Sequence, residues 1–81
     1  MSHIVVAAKI RAGRALLGLS QHEFARQCNL TRTTITVLEK DCSKARPKTL
    51  QIVFDFLENR GIKFCLLGGK LLVEANMLEI I

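Results

Sequence analysis

Two helix starts, each with its own cap, fall between Ser20 and Lys40, and neither one long helix nor a pair of strands satisfies both. Ser20 and Glu23 have the spacing of a capping box. The Ser hydroxyl can accept from the Glu23 N–H, and the Glu carboxylate can reach back to the Ser20 N–H. Phe24, Ala25 and Cys28 then recur at helical spacing on one side. Asn29 tolerates a left-handed backbone and stops the first helix. Thr31 is a second N-cap, and Ile35 and Leu38 form the apolar edge of the next helix. Arg32, Thr33, Thr34, Thr36 and Val37 surround that edge. A solvated helix face ordinarily carries Glu, Lys and Gln, which lose little entropy in a helix. A helix start rich in Thr and Arg suits phosphates and base edges instead.

The residues on either side extend this pattern. Ile10-Arg11-Ala12-Gly13-Arg14-Ala15-Leu16-Leu17-Gly18-Leu19-Ser20-Gln21, then Phe24-Ala25, Leu30-Thr31, Thr34-Ile35, Leu38-Glu39 and Pro47-Lys48-Thr49-Leu50 together resemble the helix-turn-helix regulators of the phage repressor, Cro and Xre type. The resemblance runs over roughly residues 10 to 62. It implies a mainly α fold, a four-helix lambda-repressor-like helix-turn-helix domain, with the helix after Thr31 as the recognition helix.

Charge follows the same division. From Lys9 to Lys48 nine basic residues stand against Glu23, Glu39 and Asp41, a net +6. From Thr49 onward the balance is −1. The positive field thus belongs to the half that carries the motif, as expected where that half meets a polyanion. The chain has 81 residues, enough for one small domain. No apolar run is long enough to span a bilayer, and no basic segment or cleavage site marks Ile4 to Ala8 as a signal peptide, so the expected location is cytoplasmic. Cys28, Cys42 and Cys65 form no C-x-x-C pair. Cys28 reads as a small core residue, and Cys42, in a polar loop, as exposed. No His or Cys pair has metal-ligand spacing, no Gly-rich nucleotide loop is present and no nucleophile–base set is visible. No cofactor, no metal and no enzymatic activity are expected.

The first helix is read from about His3 to Leu17, with Ser2 as its cap and Ile10, Gly13, Arg14 and Leu17 on one face. Gly13 costs roughly 1 kcal/mol against Ala in a helix interior, which points to a close helix approach. After a loop at 41–46, Pro47 opens a fourth helix with Leu50, Val53, Phe54 and Leu57 as its buried stripe, and Gly61 ends it. The period then changes. Ile62 to Leu67 begins with alternation, Gly68-Gly69 is a hairpin turn signal, and Lys70 to Glu74 is the return strand of a C-terminal β hairpin. An apolar tail, Ala75 to Ile81, follows. Domain organisation is therefore expected as a DNA-binding unit, 1–61, and a dimerisation segment, 62–81. Ile62, Phe64, Leu66, Leu71 and Val73 are the expected interface, because a lone hairpin is marginal in water and its edges invite pairing. The bland alternative is a hairpin folded back on its own fourth helix.

The resemblance also implies roles. Arg32, Thr33, Thr36 and Val37 would face bases: Arg32 bidentate to guanine, Thr33 or Val37 against a thymine methyl. Gln21, Thr31, Thr34, Lys40, Lys44, Arg46 and Lys48 would hold phosphates. Arg14 and Glu39 match a structural ion pair between the first and third helices. Many members of the family carry Gln or Ser where Arg32 and Thr33 stand, so the operator differs while the docking mode need not. Against these roles stand plainer ones: Arg32 on a phosphate, Gln21 merely solvated, the basic run a solvated loop. The resulting expectation is a sequence-specific transcriptional regulator of repressor or controller type, bound as a homodimer to an inverted repeat. Two alternatives remain: the DNA-binding antitoxin of a toxin–antitoxin pair, and a protein-interaction module on the same fold.

Overall fold

Helix caps and apolar spacing account for most of the element boundaries. The computed structural model describes residues 3–76, and the elements run α1 (His3–Leu16), α2 (Gln21–Gln27), α3 (Arg32–Lys40), α4 (Pro47–Asn59), β1 (Ile62–Leu67) and β2 (Lys70–Ala75). Ser20 caps α2, its hydroxyl accepting from the Glu23 N–H at 3.0 Å. Only this half of the expected capping box forms. The Glu23 carboxylate accepts from Arg26 at 2.6 Å instead of returning to Ser20, because an exposed guanidinium one turn away is a stronger donor than an amide. Asn29 takes φ 59°, and Thr31 caps α3 by accepting from the Thr34 N–H. Pro47 stands in the first turn of α4, where its missing N–H costs nothing.

One core joins all four helices to the hairpin. Ile10, Phe24, Ile35, Leu38, Val53, Leu57 and Ile62 are its largest fully buried side chains. Each stabilises the fold by about 1.5–3 kcal/mol through burial of apolar surface. Phe24 meets Phe56 edge-on with ring centres 5.5 Å apart, and Phe54 meets Phe64 at 5.7 Å. At Gly13 α1 comes against α4 and β1 together. A Cβ there would lie 3.0 Å from both methyls of Leu57 and 3.4 Å from the Phe64 ring, so space rather than dihedral angle favours the glycine.

The two strands pair antiparallel from Ile62–Ala75 to Leu67–Lys70. Gly68 and Gly69 close them with φ of 57° and 75°, the pair of positive values a two-residue turn with the twist of the sheet demands. Burial alternates along β2, with Leu71, Val73 and Ala75 turned toward the core and Lys70, Leu72 and Glu74 outward.

Two expectations change here. Ile62 is fully buried, and Phe64 and Val73 pack on the protomer's own core, so this face of the hairpin covers α1 and α4 and is not an open interface. Gly13 contributes to this: without a side chain there, Leu57 and Phe64 both come up against α1. The hairpin therefore shares its core with 3–61 rather than standing apart from it. Cys42 is also buried, its Sγ 3.4 Å from the His3 carbonyl, because the loop after α3 folds under the start of α1. The tail residues Met77, Leu78, Ile80 and Ile81, the Ser2 cap and the Leu66 side chain lie outside the described residues. Among the described residues no helix is long and apolar enough to cross a membrane.

Candidate nucleic-acid interface

Helix α3 has two unlike faces. Ile35, Leu38 and Glu39 are buried; Arg32, Thr33 and Val37 are exposed, Val37 with half its surface in water. Arg32 has no intramolecular partner for its guanidinium among the described residues, so all five N–H donors are available. Arg32, Thr33, Thr36 and Val37 line one shallow concavity. Thr36 is half-buried. Its hydroxyl lies 3.0 Å from the Arg32 carbonyl and 3.4 Å from Gln21 Oε1, which spends its one proton inside the protomer and leaves its lone pairs.

A network beneath this face fixes its orientation. Glu39 is 3% exposed and accepts from Arg14 Nε at 2.6 Å, Arg14 Nη2 at 3.0 Å and Gln21 Nε2 at 3.1 Å. Arg14 also donates to the Leu19 carbonyl at 2.8 Å, and Arg11 donates to the Glu39 carbonyl. One buried carboxylate thus ties α1, α2 and α3 together, the fork of Arg14 matching its two oxygens. Gln21 belongs to this network with both ends of its amide, and its second Nε2 proton faces no acceptor among the described residues. Arg11 was not legible as a member, since its target is a backbone carbonyl and leaves no mark on the sequence.

Around α3 the cations are exposed: Lys40 at its end, Lys44 and Arg46 in the following loop, and Lys48 in the first turn of α4. An open groove between α3 and this loop is lined by Thr33, Thr34, Val37, Lys44, Arg46 and Thr49. Thr49, which carries part of the resemblance but was given no contact role from the sequence, thus joins the same surface. Thr31 and Thr34 share a hydroxyl hydrogen bond of 2.9 Å at the start of α3. Asp41 stands ionised beside Lys44. Its carboxylate accepts from the Ser43 N–H, and that bond holds its carboxyl below the usual range. Glu23 likewise is held down by its hydrogen bond from Arg26.

Two short capped helices held at a fixed angle, the second presenting an uncovered outer row ringed by cations, define a helix-turn-helix protein. The helix-turn-helix family model matches residues 10–60, well over half of the chain, and the chain belongs to this family, the phage repressor, Cro and Xre type of DNA-binding regulators. No match is found among curated proteins.

Proposed function

We infer that the chain is a sequence-specific transcriptional regulator of repressor or controller type that binds an inverted repeat as a homodimer, with α3 in the major groove. The observation that carries this reading is the outer row of α3, where Arg32, Thr33 and Val37 stand exposed beside Thr36. Arg32 is suited to guanine O6 and N7, and Val37 and the Thr33 methyl to a thymine methyl. The phosphate set is Gln21, Thr31, Thr34, Lys40, Lys44, Arg46 and Lys48. Of these, the cations supply salt-dependent affinity, while Gln21 offers a neutral N–H held in place by Glu39. The ion pair of Arg14 and Glu39 sets the angle at which α3 is presented, and the segment 62–81 serves association.

Fluorescence anisotropy with duplex DNA over a salt series tests the assignment. Lys48→Ala should weaken preferred and random duplexes alike and reduce the salt slope by about one. Arg32→Ala should cost about 1–3 kcal/mol at the preferred site and relax the preference there. Equal loss on both DNAs would move Arg32 to a phosphate. No binding to any duplex at low salt would overturn the reading.

A further inference from the structure

The hairpin leaves the outer edge of each strand and one face unpaired among the described residues. A two-residue turn makes Leu67–Lys70 a hydrogen-bonded pair, so Cys65–Leu72 and Lys63–Glu74 are hydrogen-bonded as well. The Asn76 N–H donating to the Gly61 carbonyl at 2.9 Å continues the same phase. The backbone groups of Leu71 and Val73 therefore point away from β1, and no other described element bonds to them. The outer face carries Leu67 and Leu72, 66% and 40% exposed, with Cys65. β2 has no proline to blunt its edge.

The side-chain order on β2 is complementary to itself. The outward positions read Lys70, Leu72, Glu74. An antiparallel copy related by a two-fold axis at Leu72 places Leu72 against Leu72 of the second copy, and Lys70 against its Glu74 on both sides. In the same register Leu71 faces Val73 of the second copy, with the outward N–H and C=O groups of both in position to bond. Across the four strands the outer face then reads Lys63, Glu74, Lys70, Leu67 in each flanking row. The central row is Cys65, Leu72, Leu72, Cys65. The other edge lacks this property. Of the outward residues of β1, Lys63, Cys65 and Leu67, only Lys63 is charged, so no self-pairing of β1 sets opposite charges together.

We propose that two copies of the chain associate through their β2 edges, antiparallel about Leu72, forming a four-stranded sheet in which Lys70 of each copy pairs with Glu74 of the other. This rests on the homodimer reading above and specifies its interface. It also replaces the buried face of the hairpin with the free edge as the contact. A non-hydrogen-bonded antiparallel pair has its Cα atoms about 4.5 Å apart, within disulfide reach.

Two measurements on the full chain test the proposal. In a Cys65→Ser background, which removes the in-hairpin neighbour of position 72, Leu72→Cys should oxidise to a covalent dimer at micromolar protein. Separately, sedimentation should show Lys70→Glu raising the dimer dissociation constant about tenfold, as two symmetry-related pairs turn from attraction to repulsion. An equimolar mixture of Lys70→Glu with Glu74→Lys chains should recover the parent constant, because the heterodimer restores both opposite-charge pairs. A parent chain that sediments as a monomer at tens of micromolar would overturn the homodimer reading and the proposal with it. A parent dimer that neither cross-links at position 72 nor responds to Lys70→Glu would leave the homodimer standing and overturn the β2 register alone.

Discussion

Removing Arg14 should expose how much of the presented face depends on one buried carboxylate. Arg14→Ala deletes bonds of 2.6 and 3.0 Å to Glu39 and one of 2.8 Å to the Leu19 carbonyl. Glu39, 3% exposed, then keeps only Gln21 on its side chain. Breaking a buried pair from one side costs about 3–5 kcal/mol. The Arg14 side chain is itself 21% exposed, so water can enter the space it vacates, and the lower end applies, about 3 kcal/mol. For a domain of this size that is a fall in Tm of roughly 12–24 °C. Circular-dichroism melts of Arg14→Ala, Glu39→Ala and the double variant complete a cycle. The double variant should be more stable than the sum of the singles implies, with a coupling of about 2 kcal/mol. A single-variant melt within about 2 °C of the parent, as for an exposed pair, would refute the buried network.

Two further outcomes follow from the packing. Gly13→Ala should destabilise the fold by up to about 2 kcal/mol in urea titration, the balance of crowding of about 1–3 kcal/mol against Leu57 and Phe64 over a helix gain of roughly 1 kcal/mol; a stabilised variant would show slack where the helices meet. Burial pushes the Cys28 thiol up to about 11. Between the ordinary thiol range and that value the unfolded chain loses a proton that the folded chain keeps, so stability is intact at neutral pH and falls as pH rises through this window. Cys28→Ala should flatten the fall seen in urea midpoints from pH 8 to pH 11, whereas parallel curves would contradict it.

The helices were legible because their signals are local. Ser20, Asn29, Thr31 and Pro47 act within a turn of where they stand, and each marks an observed boundary. Gly68-Gly69 placed the hairpin for the same reason. What the sequence did not reveal depends on long-range geometry. The alternation of β1 and β2 identifies an apolar face without saying what covers it, and Gly13 with Leu57 supplies the answer only in three dimensions. Cys42 sits among polar residues yet is buried, since its surroundings include His3, 39 residues earlier in the chain. On the candidate interface, the exposure of Arg32, Thr33 and Val37 follows from the spacing of Ile35 and Leu38. The dual engagement of Gln21 by Glu39 and Thr36, and the place of Arg11, required the angle between α2 and α3.

Selection from a pool of random duplexes with the full chain tests the central claim most directly. Repeated capture at moderate salt should enrich an inverted repeat whose half-sites lie about 34 Å apart, one turn of DNA. Arg32→Ala should lose the preference at one position in each half-site. A pool that remains random after selection, with no duplex retained at low salt, would contradict α3 as a reader of DNA.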